Sequence, residues 1–81
     1  MHLIKPLTTE KAVKLLESEN KIAFIVDRRS NKQELKREVE KTFGVKVEKV
    51  DTQIRNNMKI AFIKLKKENP AIDVAAKLGL M

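Results

Sequence analysis

The pentapeptide KIAFI occurs twice in the chain, at residues 21–25 and again at residues 59–63. In each copy the lysine is followed by an unbroken apolar run rich in β-branched and aromatic residues, the pattern of a strand buried on both faces. A duplicated module would carry matching sequences on both sides of each copy. Here a helical pattern follows the first copy and a charged loop follows the second. We therefore interpret the copies as the two central strands of one small sheet.

A helix is predicted before the first copy, across residues 8–19. The hydroxyl of Thr8 or Thr9 can accept an unpaired backbone N–H of its first turn, and Glu10 suits the positive end of the helix dipole. A short last helix is predicted to begin at residues 69–70, with the asparagine as cap and the proline as first helical residue. Its inner face would carry Ile72, Ala75, Ala76 and Leu78.

A further helix is predicted between the two copies, over residues 30–43. Ser30 and Gln33 have the spacing of a capping box, and Gly44 is a typical helix stop. An apolar stripe at every fourth position would pack this helix on the sheet because such positions share one face. The stripe consists of Leu35, Val39 and Phe43.

Residues 45–54 alternate like a strand, and the alternation changes phase near Glu48, which predicts a β-bulge. Residues 55–59 form a predicted turn in which Asn56 and Asn57 can adopt left-handed conformations. The element order is then α-β-α-β-β-α, an α/β (α+β) fold with a split β-α-β core. We expect a small sheet of three or four strands, largely antiparallel. The last strand would return between the other two, so that the KIAFI copies pair Phe and Ile side chains across adjacent strands.

The 81 residues suit a single domain, and their net charge of +7 points to a polyanionic partner. Nucleic acid is the first choice and an anionic membrane the second, while a Lys- and Glu-rich thermophile surface is the plain alternative. The chain has no cysteine, which fits a reducing cytoplasm. Its opening residues do not resemble a signal peptide, and no apolar run is long enough to span a membrane.

Catalytic and metal-binding patterns are not found in the sequence. His2 is the only histidine, and we assign it to a disordered terminus. The two glycines follow predicted helices, so a phosphate-cradling glycine loop is excluded. Asp27 follows a strand, but its arginine neighbours favour a role in ordering the loop. We therefore predict a protein that is not an enzyme and needs no cofactor, metal ion or small-molecule substrate.

Basic residues gather in segments that the predicted topology brings to one end of the sheet. One group follows the first KIAFI copy, a second lies in the 55–59 turn, and Lys5 and Lys11 lie near the start. Such convergence suits contact with phosphates. The first two groups comprise Arg28, Arg29, Lys32, Lys36 and Arg37, and Arg55, Asn56, Asn57 and Lys59. Because Phe24 and Phe62 fit core positions, folded RNA is favoured over unstacked bases.

Three stretches together resemble a known family. They are Thr9-Glu10-Lys11, the pattern [KR]xx[IL]KxxVExxFxVKVxxVxT across residues 32–52, and A-x-KLGL at residues 75–80. In this order and spacing they resemble the large-subunit ribosomal protein L23 family in its archaeal form. The resemblance covers almost the whole chain.

The resemblance implies a structural protein of the cytoplasmic ribosome that binds large-subunit ribosomal RNA beside the nascent-chain tunnel exit. It also implies contact with neighbouring ribosomal proteins and docking of the signal recognition particle and the protein-conducting channel, with Glu10 as the docking residue. Bacterial members carry a long basic hairpin, whereas the turn here is short. The RNA contacts implied are Lys5, Lys11, Arg28, Arg29, Asn31, Lys32, Arg55, Asn56, Asn57 and Lys59.

Two other functions compete with this one. A different small RNA-binding module could read single strands on its sheet through Phe24 and Phe62. A protein–protein adaptor could use the same basic face.

Overall fold

The computed structural model describes residues 3–79. Within that range the chain forms three helices and a four-stranded antiparallel sheet, which confirms the predicted fold class. None of the described helices is long and apolar enough to cross a membrane. The elements in chain order are β1 (Leu3–Pro6), α1 (Glu10–Ser18), β2 (Lys21–Val26), α2 (Lys32–Phe43), β3 (Val47–Arg55), β4 (Met58–Leu65) and α3 (Ala71–Lys77).

The two KIAFI copies lie side by side at the centre of the sheet, whose strand order is β1-β2-β4-β3. They run antiparallel, as predicted, with Val26 opposite Lys59 at one end and Lys21 opposite Lys64 at the other. The expected pairing of Phe with Ile is wrong in detail. Phe24 lies opposite an alanine, as does Phe62, and each isoleucine faces an isoleucine. This register places each bulky ring beside a small residue.

Strand β1 is the element that the predicted order lacks. Leu3–Pro6 pairs antiparallel with β2 and provides the fourth strand. A four-residue segment ending in proline carries too few alternating positions to indicate a strand, because proline cannot donate to the ladder. Only the neighbouring strand reveals the pairing. The predicted bulge is confirmed, since the register of β3 shifts between Val47 and Lys49.

The sheet has apolar clusters on both faces because successive side chains of a strand point in opposite directions. Phe24 belongs to the larger cluster with Leu35, Val39 and residues of α3. Its ring is 2% exposed and stacks on Phe43, with centroids 6.1 Å apart. Ala23 belongs to the smaller cluster, together with Ala12 of α1, Ile60, Leu7 and Phe62. The larger cluster thus confirms the predicted stripe of α2.

Helix α2 begins one residue later than predicted. Asn31, rather than Ser30, is the N-cap, and Glu34, rather than Gln33, completes the capping box. The Asn31 side chain accepts the Glu34 N–H at 2.8 Å, and the Glu34 carboxylate accepts the Asn31 N–H at 3.1 Å. Ser30 is buried and donates its hydroxyl to the Asp27 carbonyl at 2.5 Å. The stop at Gly44 is confirmed, with φ of 65°.

Helix α3 also differs from its prediction. Pro70 occupies the N-cap position, and Asn69 makes no side-chain cap. The buried residues of the helix are Ala71, Val74 and Ala75, whereas Ile72 is 39% exposed. Of the predicted inner face, Ala75 is buried and Leu78 is half-buried against the core, but Ala76 is exposed like Ile72, so the prediction is wrong for these two residues.

Asn20, in the turn between α1 and β2, supplies the missing cap. Its Oδ1 accepts the backbone N–H of Ala71 at 2.6 Å. Its Nδ2 lies within 3.1–3.2 Å of the carbonyl oxygens of Leu65, Lys66 and Asn69. Asn20 also has a positive φ of 55°. One side chain therefore joins the end of α1 to the loop between β4 and α3.

Candidate nucleic-acid interface

Two connections meet at one end of the sheet, which we call the hairpin end. They are the 27–31 loop, which leaves β2, and the turn between β3 and β4. Val26 lies opposite Lys59 in the ladder, so the two connections start from adjacent strands. The Lys59 ammonium donates to the Ser30 carbonyl at 2.5 Å and fastens β4 to the loop. The predicted convergence of these segments is therefore present.

The turn between β3 and β4 has only two residues outside the strands. Arg55 pairs with Met58, and the residues between them are Asn56 at φ 52° and Asn57 at φ 62°. Positive φ at both positions is the geometry of a type I′ hairpin turn, which matches the twist of the strands. The predicted left-handed asparagines are confirmed, and their side chains are exposed.

The 27–31 loop is held in shape by its own carboxylate. Asp27 accepts the backbone N–H of Arg29 at 2.8 Å, and its carbonyl accepts the Ser30 N–H at 3.1 Å. The predicted loop-ordering role of Asp27 is consistent with these bonds. Arg28 and Arg29 are both exposed. The loop thus presents two guanidinium groups from a fixed backbone.

Two surface grooves flank the hairpin turn. One is lined by the 27–29 segment, with two arginines and the Asp27 carboxylate, together with Asn57 and Lys59. The other, which we call the hairpin groove, has a volume of about 320 Å³. The hairpin groove is lined by Leu7, Thr9, Lys11, Ala12, Gln53, Arg55, Asn56, Met58, Ile60 and Phe62. Met58 lines both grooves, which therefore adjoin at its side chain.

The other predicted contact residues lie around this end or away from it. Lys5 lies in β1 opposite Ile25, one step from the end of β2. Lys32 is in the first turn of α2, and Lys36 lies one turn further along the helix. Arg37 shares a surface depression with Glu34, Glu38 and Lys41, so it lies among carboxylates. The oxygen of Asn31 is already used in the cap of α2.

Ion pairs occur at several places in the part of the chain that the structure describes. They join Lys14 to Glu10, Lys21 to Glu19, Lys49 to Asp51 and Lys64 to Glu48. Among the described residues, no ion pair involves Arg28, Arg29 or Arg55. Asp27, next to Arg28, accepts the backbone N–H of Arg29, and all three arginines are exposed.

Helix α1 covers Glu10–Ser18, slightly shorter than the predicted residues 8–19, and Thr9, one of the two predicted candidates, is its cap. The Glu10 side chain is 87% exposed and lies 3.6 Å from the Lys14 ammonium. Because the contact is between exposed groups on one helix, it leaves the carboxylate accessible. His2 lies outside the described residues.

Sequence reasoning missed two features of this molecule. The role of Asn20 could not be found because its partners lie more than 40 positions away. The hairpin groove was missed because Phe62 was assigned to the core and Met58 to the 55–59 turn, whereas the structure places Met58 in β4. Phe24 is indeed buried, but Phe62 is only half-buried and borders the groove. Alternation of Met58, Ile60 and Phe62 in β4 was the available signal.

Comparison with known proteins defines the family. The model of the family described as Ribosomal protein L23 matches residues 1–73. Large ribosomal subunit protein uL23 of Methanothermobacter thermautotrophicus is 47% identical over 79 residues, covering 96% of this chain and 92% of that protein. Its counterpart from Pyrobaculum aerophilum is 49% identical over 76 residues, covering 93% and 94%.

The chain belongs to the ribosomal protein L23 family. The resemblance inferred from the sequence is thereby confirmed. Membership makes the chain a structural component of the large subunit of the cytoplasmic ribosome, and not an enzyme. Both relatives are archaeal proteins of nearly the same length.

Proposed function

We propose that the hairpin end binds large-subunit ribosomal RNA through its phosphates, and that residues 1–81 act as one RNA-binding domain. The observation that carries the proposal is the juxtaposition of Arg28 and Arg29 with Asn57 and Lys59, in one groove and without ion pairs among the described residues. Each lysine or arginine that neutralises a phosphate releases counterions, which favours binding. The surface comprises Lys5, Lys11, Arg28, Arg29, Asn31, Lys32, Arg55, Asn56, Asn57 and Lys59, extended along α2 by Lys36 and Arg37.

A rigid support increases the value of these contacts. The loop is fixed by Asp27 and by the bond from Lys59 to Ser30, so little ordering is needed when RNA binds. The arginines then approach a folded RNA at fixed spacing, as recognition by shape and backbone requires. If about six phosphates are engaged, the plot of log affinity against log salt should have a slope of roughly −4 to −5.

A pair of charge reversals tests the proposal. Arg28→Glu with Arg29→Glu should weaken binding to purified large-subunit ribosomal RNA more than about tenfold at moderate salt and flatten the salt dependence. Lys66→Glu with Lys67→Glu is the matched control, because both lysines are exposed and lie beyond the other end of β4. Circular dichroism checks that both variants fold. Equal loss of affinity in the two variants, or no loss in the first, would refute the proposal.

We further propose that the bound chain lies at the rim of the nascent-chain tunnel exit. The hairpin extends only one residue pair, Arg55 with Met58, beyond the last pair between β2 and β4. The described hairpin is therefore long enough for contacts at the rim but too short to reach deep into a channel.

The exposed Glu10 is the proposed docking residue for the signal recognition particle and the protein-conducting channel. Its side chain lies at the start of α1 and is 87% exposed. Glu10→Gln should lower the affinity of the signal recognition particle for large subunits about two- to fivefold, as expected for a charge at the rim of an interface. Glu17→Gln on the same helix is the control, and a similar loss there would contradict a specific role for Glu10.

A further inference from the structure

The hairpin groove offers an apolar surface that could contact a base, in addition to the phosphate contacts proposed above. The inference drawn from it rests on the proposed binding of RNA. Met58, Ile60 and Phe62 alternate along β4 and therefore share one face of the sheet. On this face Ile60 is 5% exposed, Met58 is 41% exposed and Phe62 is half-buried. An accessible thioether and the border of an aromatic ring thus form an apolar floor beside the turn.

The groove is polar and cationic around this floor. Lys11 comes from α1 and Arg55 from the last position of β3, and they are the only charged residues among those that line the groove. Gln53 and Asn56 are exposed amides that can both donate and accept hydrogen bonds. A ligand that matches this lining has a flat apolar part, hydrogen-bonding edges and a negative charge.

A nucleotide has these properties. We propose that the hairpin groove holds one unstacked nucleotide of the bound RNA, its base against Met58 and Phe62 and its phosphate beside the two cations. Unstacked bases bind in this way on aromatic and apolar side chains whose neighbours contact the backbone. The volume of about 320 Å³ lies at the small end of the range for ligand pockets, about 300–1,000 Å³, and suits one nucleotide.

Continuity with the phosphate-binding surface favours RNA over an acidic peptide as the occupant. Met58 lines both grooves, so an RNA backbone held by Arg28 and Arg29 passes directly beside the hairpin groove. The expected occupant is therefore a single bulged or looped nucleotide.

Two variants of the same hairpin test this inference. Met58→Ala removes the exposed part of the floor, whereas Ile54→Ala removes an apolar side chain that is 60% exposed. Ile54 pairs with Lys59, and Met58 pairs with Arg55, so the two side chains lie on opposite faces of the hairpin. The probe is ribosomal RNA purified from large subunits, titrated with the full chain at several salt concentrations.

We expect Met58→Ala to weaken binding about fivefold or more, the scale of one stacked base, with an unchanged salt slope because no phosphate contact is lost. Ile54→Ala should bind like the unaltered chain. Ultraviolet cross-linking should join a nucleotide to Met58 or Phe62. Unaltered affinity of Met58→Ala, equal losses in both variants, or cross-links restricted to the 27–32 segment would overturn the inference.

The same experiments separate this inference from the proposed function. If the variant carrying Arg28→Glu and Arg29→Glu loses binding and Met58→Ala has no effect, the proposed phosphate contacts stand and the proposed nucleotide in the hairpin groove is refuted. Binding that is insensitive to both would remove the phosphate contacts as well. Cross-linking in intact large subunits identifies the occupant, and a protein joined to Met58 there would also overturn the inference.

Discussion

The two ends of the sheet carry similar amounts of basic sequence but use it differently. At the far end, where β2 begins and β4 ends, Lys21 lies 3.4 Å from Glu19 and Lys64 lies 3.5 Å from Glu48. At the hairpin end Asp27 accepts the backbone N–H of Arg29, and the Glu34 carboxylate accepts that of Asn31. The ends lie about 17 Å apart, five steps along β2. That distance exceeds the Debye length of about 8 Å at physiological salt, so the exposed charges at the two ends act separately.

The carboxylates of the two ends make different bonds. At the far end Glu19 and Glu48 lie beside lysines, and an exposed lysine beside a glutamate offers little net charge to a distant phosphate. At the hairpin end Asp27 still carries its charge, but it also fixes the backbone from which the arginines project. Among the described residues, Arg28 and Arg29 make no ion pair, whereas the far end has both paired lysines and the exposed Lys66 and Lys67 outside any described ion pair.

The largest expected effect is the loss of stability caused by a substitution in β2, a central strand that runs between the two ends. Phe24→Ala removes a ring that is 2% exposed and stacked on Phe43, and should cost about 3–5 kcal/mol in the free energy of unfolding. Denaturant unfolding measures this loss, and Phe24→Leu is the milder control. A Phe24→Ala protein that folds normally but no longer binds RNA would instead support a base-stacking sheet.

Asn20 should give the next largest effect, at the far end. Asn20→Ala removes the cap of α3 and the bonds to three carbonyl oxygens, and it leaves a side chain at positive φ. We expect a loss of about 3 kcal/mol in the free energy of unfolding. Asn20→Gly relieves the backbone strain and should recover up to about 1 kcal/mol of that loss. The RNA affinity of the folded protein should not change. A loss of affinity in folded Asn20→Ala would show that the far end contributes to RNA binding.

At the hairpin end, Asn57→Gly distinguishes the role of Asn57 in forming the turn from its proposed contact with RNA. Glycine suits the left-handed position at φ 62°, so the free energy of unfolding should change by less than about 0.5 kcal/mol. Removing the amide should nevertheless lower RNA affinity by up to about fivefold, the value of one hydrogen bond. Chemical denaturation and RNA titration of the same sample measure both quantities. Unchanged affinity would make Asn57 a turn residue only.

The smallest effect concerns the ion pair between Lys64 and Glu48. Their side chains are 40% and 54% exposed, and a double-mutant cycle with Lys64→Ala and Glu48→Ala should give a coupling below about 1 kcal/mol. Glu48→Ala should leave RNA affinity unchanged, because the released lysine lies far from the proposed surface. An increase in affinity would show that the far end also contacts RNA.

Much of the fold follows from local pattern. Each KIAFI copy has four consecutive apolar residues, a run that is buried on both faces when it lies between two layers. The stripe of α2 specifies which side of that helix faces the sheet. The asparagine pair predicts a tight turn because few other residues adopt left-handed conformations. Helix starts are weaker signals, since Ser30, Asn31 and the residues three positions on offer two overlapping capping boxes.

Some features of the candidate RNA-binding surface also follow from the sequence, and others appear only in the structure. The excess of positive charge, the segments that carry it and the two strands that bring them together can be read from the amino-acid sequence. The pairing of β1 with β2, the ion pair between Lys64 and Glu48 and the cap that Asn20 places on α3 appear only in the folded protein. Each of these contacts joins residues that are far apart in the chain, and the local sequence around one partner does not identify the other.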